Sequence, residues 1–347
     1  MSITTDIHAF YSDNTASVAP DLRAAIGAAN DGPQKAYGDD AWTVQLDGAF
    51  SRFFATDVRA FVVSTGTAAN ALSLATLAPP YGNVYAHSGA HVVEDECGAV
   101  EFFSAGARLT LVSGEHGRMD SEALERAISA HPANVHTVQP AAITLTQATE
   151  LGTVYRPEAI TALAAVAHRH GLRVHMDGAR LANAVQFLNC HPGDLTWRAG
   201  VDVLSFGATK NGALAAEAVV FFDTTLVRDF ELRRKRAGHL LSKSRYAAAQ
   251  LLACVQTGLW HTHAARANRL AQRIATAAGS RLSHPVEANE LFVNLGSPGK
   301  AALRAQGFGF YDWGPAAGPE ARLVVSWDQT QASVDALCAA LTALPAA

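Results

Sequence analysis

Short apolar runs alternate with stretches of helical spacing along the first two thirds of the chain. Runs at 61–63, 84–87, 108–112, 142–146, 172–176, 201–206 and 218–222 read as strands. Between them, apolar residues recur every three or four positions, which predicts helices at about 20–29, 42–55, 68–77, 121–130 and 157–170. Pro20 and Pro157 stand at the favoured first helical position. Strands without polar alternation are covered on both faces, so the pattern predicts an α/β fold with a mainly parallel sheet between helices. From about residue 226 the texture changes. Long helical patterns run to about 278, then strands at 291–295, 308–311 and 322–327 mix with helices near 300–305 and 332–344. This predicts a large domain over 1–250 and a small α+β domain over 251–347, with the N-terminal segment a candidate to pack on the small one.

Two adjacent strands end in chemistry. The run Leu172-Arg173-Val174-His175-Met176 delivers Asp177, and Val201 to Phe206 leads through Gly207-Ala208-Thr209 to Lys210. Ligands of open α/β sheets sit outside the carboxyl ends of the strands. An acid and an amine there suit pyridoxal 5′-phosphate: the lysine forms a Schiff base and the aspartate pairs with the pyridinium nitrogen. The plainer alternatives are a helix N-cap for Asp177 and a solvated loop lysine for Lys210. A second signal is the strand 61–63 followed by Ser64-Thr65-Gly66-Thr67 and a helix. That arrangement is either a phosphate site at a helix N-terminus or an ordinary turn with a threonine cap.

Composition narrows the classes. With 347 residues, 49% of them hydrophobic, the chain can build a sizeable core. A net charge of −4 without a nucleic-acid-sized basic region argues against a nucleic-acid partner. The run Arg233-Arg234-Lys235-Arg236 reads as a solvated helix face or a subunit contact. No signal-like start or bilayer-length apolar run is visible, and the four cysteines lack paired spacing. The expectation is a cytoplasmic protein with reduced thiols and no membrane partner. Two other classes compete: a metal-dependent hydrolase using His261 and His263, which have no nearby third ligand, and a non-catalytic binding protein. No metal site is expected.

The ordered set Asp13-Asn14-Thr15, Tyr37-Gly38-Asp39-Asp40, Ser64-Thr65-Gly66-Thr67-Ala68-Ala69-Asn70, His91, His175-Met176-Asp177-Gly178-Ala179-Arg180 and Lys210 resembles the low-specificity L-threonine aldolases and phenylserine aldolases. These are pyridoxal-phosphate enzymes of the aspartate-aminotransferase fold (fold type I), related to β-eliminating lyases. The resemblance implies retro-aldol cleavage of L-threonine, L-allo-threonine and related β-hydroxy-α-amino acids, L-phenylserine among the candidates, to glycine and an aldehyde. Another pyridoxal-phosphate reaction, β-elimination or racemisation, is the alternative. It implies catalytic roles for Lys210, Asp177 and His91, with His91 stacked on the cofactor ring. It further implies cofactor contacts from Gly66, Thr67, Arg180 and Thr209, and from Tyr37 and Lys243 across a subunit interface. Ser12, Arg180 and Arg322 match the residues that hold the substrate carboxylate, and the assembly implied is a homodimer or homotetramer. One departure stands out. Where many relatives have a histidine in a Glu-Asn-Thr-His stretch, this chain has Gln147-Ala148-Thr149-Glu150, which makes Glu150 a candidate proton acceptor.

Overall fold

A computed structural model describes the protein over residues 8–314 and 318–345. Among the described residues twelve strands follow one another. They are β1 (His8–Ala9), β2 (Arg59–Val63), β3 (Gly82–His87), β4 (Arg108–Val112), β5 (Gln139–Thr146) and β6 (Arg173–Gly178), then β7 (Val203–Gly207), β8 (Glu217–Phe221), β9 (Glu290–Asn294), β10 (Phe308–Gly309), β11 (Tyr311–Trp313) and β12 (Glu320–Val324). A seven-stranded sheet takes the order β2-β8-β7-β6-β5-β3-β4. Its ladders are parallel except where β8 pairs with β2 and with β7. Strands β3, β7 and β8 are buried along their whole length, polar residues such as Asn83, Ser205 and Glu217 included, as strands covered by helices on both faces are.

This topology gathers chemistry on one edge. Thr146 lies beside Asp177, and Asp177 beside Ser205, at the carboxyl ends of β5, β6 and β7. Because β8 runs the other way, its first residue, Glu217, lies beside both Gly207 and Val63. The turns after β6 and β7 then touch backbone to backbone. A Cβ at Gly207 would stand 2.9 Å from Cα and the carbonyl oxygen of Ala179, so glycine is what lets the two turns approach.

A smaller antiparallel sheet, β11-β12-β9, and a parallel pair, β1-β10, surround a second apolar core built on Phe10, Leu291, Leu323 and Leu337. The long helix Leu259–Ala278 serves both cores: Trp260 and Ala264 belong to the large one, Leu270 and Ile274 to the small one.

Several elements differ from expectation. The first turn of the helix expected at 42–55 is a 3₁₀ turn, Thr43–Gln45, capped by the Asp40 carboxylate, and the α-helix is Leu46–Phe54. The single strand expected at 308–311 is divided because two partners compete for it: β1 takes Phe308 and Gly309, and β12 takes Tyr311 onward. The strand expected at 322–327 leaves its sheet after Val324, and Trp327 stacks on His263 at 4.6 Å. The basic run is not wholly solvated. Arg234 is buried, donates from Nε to the Val62 carbonyl at 2.8 Å and lies over the Phe61 ring, which fixes the helix Val227–Arg236 against the end of β2.

Candidate active site

The helix Gly66–Leu77 begins just after β2. Thr65 is an ordinary N-cap, its Oγ1 accepting from the Ala68 amide at 3.1 Å. The amides of Gly66 and Thr67 precede the first intrahelical bond, and a Cβ built on Gly66 would meet nothing within 4 Å. The cap thus leaves open space over the first turn at a positive helix end, where an anion is favoured.

Asp177, at the end of β6, is 5% exposed. It does not cap a helix. Its Oδ1 accepts from the Ala179 amide at 3.0 Å and its Oδ2 from Asn70 Nδ2 at 2.8 Å. Among the described residues it has no ion-pair partner. A carboxylate this buried, held only by neutral donors, is complete when a cationic N–H meets it. Beneath it, His175 is fully buried between the hydroxyls of Thr144 and Ser205, each at 2.9 Å. Burial takes its imidazole down to about 4 against the pull of Asp177, so the ring is neutral near pH 7.

Lys210 sits in the one-turn segment Thr209–Asn211 after β7 and is half-buried. Thr209 is occupied by structure: its Oγ1 accepts from the Ala216 amide and its own amide donates to Glu217. Burial pushes the Glu217 carboxyl up to about 7, opposed by Thr209 and by the Lys210 charge.

A chain of polar contacts runs from Asp177 to His91. The other Nδ2 proton of Asn70 goes to Glu96 Oε1 at 2.8 Å, and the same oxygen meets His91 Nδ1 at 2.9 Å. Glu96 is 4% exposed. The His91 amide donates to Glu150 Oε1 at 2.6 Å, while Glu150 Oε2 is enclosed without a partner among the described residues. Burial pushes the Glu150 carboxyl up to about 7; the His91 amide opposes this and the Asp177 charge adds to it.

Arg180 is buried rather than on a surface helix. Its Nε and Nη2 grip Asp13 at 2.8 and 2.9 Å, and its Nη1 meets Glu290 Oε2 at 3.1 Å. Burial disfavours the guanidinium charge, but Asp13 and Glu290 outweigh it and hold it charged. Burial alone would raise the Asp13 carboxyl; Arg180, Lys210 and Asn289 take it instead to about 2. Arg322 donates from Nε and Nη2 to Glu290 Oε1, so one carboxylate bridges both arginines. Ser12, next to Asp13, accepts from the Asn14 amide.

The structure thus brings Gly66, Thr67, His91, Glu150, Asp177, Lys210, Arg180 and Arg322 to the sheet edge and the adjoining face of the small domain. Tyr37 and Lys243 stand apart from these contacts. Tyr37 is 53% exposed, its amide bonds to the Ser242 carbonyl, and Lys235 Nζ lies 4.8 Å from its ring. Lys243 is exposed. Sequence pattern does not single out Asp13, Asn70, Glu96, Glu217 or Glu290 as participants. Asp13 and Asn70 lie inside the motifs named above, and Glu217 reads in sequence only as the residue before a strand. His261 and His263 are parted by their partners, Gln186 for the first and the Asn211 carbonyl for the second.

A helix N-terminus open to solvent at Gly66, a buried carboxylate held by neutral donors and an amine after the next strand fit the phosphate, the ring nitrogen and the aldehyde of one molecule. Fold and site together define a pyridoxal-phosphate-dependent enzyme of the aspartate-aminotransferase type. The chain belongs to the β-eliminating lyase family, whose family model matches residues 9–297. It is 42% identical to the low-specificity L-threonine aldolase of a Pseudomonas species, over 99% of this chain and 100% of that one. It is 44% identical to the protein of the same name from Pseudomonas aeruginosa, over 94% of each. Its fold is similar to that of the Leishmania major threonine aldolase, with a TM-score of 0.90 at 23% identity, covering 96% of this chain and 98% of the other.

The Glu150 carboxyl makes stability depend on pH. Its pKa in the fold lies above the ordinary value, so between about pH 4.5 and pH 7 the folded chain binds more protons than the unfolded one, and stability falls as pH rises through that window. Glu150→Gln removes the buried charge. The variant is expected to match the parent near pH 4.5 and to exceed it near pH 8 by up to about 3 kcal/mol, read from urea unfolding of the cofactor-free chain at both pH values. Equal differences at the two pH values would contradict the buried-charge account.

Proposed function

We propose that this chain cleaves L-threonine, L-allo-threonine and related β-hydroxy-α-amino acids, L-phenylserine among them, to glycine and an aldehyde. The observation that carries the reading is the pairing of a cation-seeking Asp177 beside Lys210 with two arginines, Arg180 and Arg322, joined through Glu290. Near-full-length identity of 42–44% to two low-specificity L-threonine aldolases supports it.

In this reading Lys210 would hold pyridoxal phosphate, Asp177 would keep its ring nitrogen protonated, Gly66 and Thr67 would bind its phosphate, and His91 would contact the ring. When bound, the cofactor supplies an electron sink for the pair left at Cα when a bond there breaks. Among the described residues Arg322 Nη1 makes no hydrogen bond or ion pair and, with Arg180 held in place beside it, presents a rigid planar donor set to the α-carboxylate. Fixing that end sets which bond of Cα is aligned for cleavage. The β-hydroxyl proton must leave as the Cα–Cβ bond breaks, and Cα must gain one before glycine is released. His91 and Glu150, joined through the His91 amide, are the acceptors at hand, and a carboxyl near 7 can both take and return a proton. Tyr37 and Lys243, exposed in the single chain, act across a subunit boundary in a homodimer or homotetramer. The setting we assign is the cytoplasm, where the four free cysteines stay reduced. Among the described residues no helix is long and apolar enough to cross a membrane.

Three experiments test this reading. Each threonine stereoisomer is assayed alone: both L forms should yield glycine and acetaldehyde at comparable rates, and the D forms neither. Ammonia with an oxo acid, or a D-amino acid as sole product, would replace aldol cleavage with elimination or racemisation. Asp177→Asn should fold and lose about 10²-fold or more in kcat, and near-parental turnover would remove the electron-sink role. In sedimentation at assay concentration the active species should be a dimer or tetramer, and a fully active monomer would rule out shared sites.

A further inference from the structure

His91 does not stand alone in the site; it is one end of a buried relay. Glu96 comes from the turn that follows the short helix His91–Glu94. Its Oε1 takes two contacts, His91 Nδ1 at 2.9 Å and Asn70 Nδ2 at 2.8 Å. Asn70, from the helix whose N-terminus faces the phosphate position, spends its second amide proton on Asp177 Oδ2, also at 2.8 Å. One NH₂ group thus joins two carboxylates. An amide nitrogen can only donate, so its orientation here is fixed by the two acceptors. Neither carboxylate has Lys or Arg as a partner among the described residues, and Glu96 Oε2 has no partner at all there.

A carboxylate shut away from water in this manner needs a proton nearby. Asn70 supplies a dipole and His91 supplies an N–H. We propose that Glu96 is a positioning residue that keeps a proton on His91 Nδ1, so that the neutral ring presents Nε2 as its acceptor, and that Asn70 ties this setting to Asp177. The proposal deepens the aldolase reading, on which it rests, by specifying how His91 is prepared to take the β-hydroxyl proton. The geometry is a carboxylate–imidazole pair: one nitrogen is held by a buried acid and the other is left for chemistry, the arrangement that fixes tautomer and ring orientation in general-base histidines.

The net effect of the charges around the pair points the same way. The Glu96 contact raises the affinity of His91 for its proton, burial opposes it, the Asp177 charge adds to it, and Lys210 works against it. Burial raises the Glu96 carboxyl, His91 and Asn70 lower it, and Asp177 raises it again. Glu150 faces the same histidine through the backbone amide, not the ring, so it leaves the tautomer to Glu96. Loss of the Glu96 charge should therefore loosen the proton on His91 and free the ring to adopt the other tautomer.

The test reads His91 directly, in holoenzyme labelled with ¹⁵N at histidine, its signals assigned by their loss in His91→Gln. In the unaltered enzyme the neutral ring should carry its proton on Nδ1. In Glu96→Gln the His91 pKa should fall by about one pH unit or more, the range expected when an adjacent opposite charge is removed. The acid limb of kcat/KM should move down with it, kcat should drop more than KM changes, and Glu96→Asp should restore part of both. A neutral ring protonated on Nε2 in the unaltered enzyme would overturn the proposal even if the Gln variant fails to fold. So would a folded Glu96→Gln enzyme whose His91 pKa stays in place. Because the tautomer is read without turnover, failure of the aldolase reading leaves this result interpretable, and the reverse also holds.

Discussion

A single buried guanidinium sets the relation between the two halves of the molecule. Arg180 follows β6, the strand that carries Asp177, yet its bonds go to Asp13 in the N-terminal segment and to Glu290 at the start of β9. Taking such a charge out of water costs several kcal/mol, and the paired carboxylates offset that only while all three groups stay in place. Asn289 adds a donor to Asp13 and another to the carbonyl of Val325, the residue after β12, which draws that strand's exit into the same arrangement. The ion network therefore determines how the small domain meets the sheet edge, and with it where Arg322 stands relative to Lys210. Stability of this interface and the placement of Arg322 are one property.

The neutral and acidic residues behind the site do quieter work. His175 is kept uncharged beneath Asp177 by its burial between two hydroxyls, so the aspartate faces no competing cation from within the sheet. Glu217 owes its position to the one strand that runs against its neighbours; in an all-parallel sheet the start of that strand would lie at the far edge. The carboxyls of Glu150 and Glu217, both pushed up to about 7 by burial, leave a site whose proton count is responsive near neutrality.

The sheet was legible because a short, wholly apolar run between helical stretches fits little besides a strand covered on both faces, and the strand ends marked Asp177 and Lys210 by position alone. The turn before the helix Gly66–Leu77 was legible as well, because small residues with a Thr cap before a helix carry a physical meaning. The acids that organise the site were not. Glu96 lies in a run of polar residues that looks solvated, and Glu290 opens a strand in a stretch that meets Arg180 from more than a hundred positions away. Burial of a charge is decided by tertiary packing, and local pattern carries no trace of it. Arg234 shows the same limit from the other side: within four consecutive basic residues, the one that turns inward is chosen by the Val62 carbonyl and the Phe61 ring.

The pairing of β1 with β10 joins His8 and Ala9 to Phe308 and Gly309. During synthesis the first strand leaves the ribosome long before its partner exists, and Asp13 waits likewise for Glu290 and Asn289. Contacts of such long sequence separation form late, since the intervening chain must be ordered before they yield any gain. The parallel sheet can assemble on partial chains, but the arginine cluster cannot. A chain stalled or clipped before β10 would therefore lack the partner of β1, and one stalled before Glu290 would leave Asp13 and Arg180 without their third member.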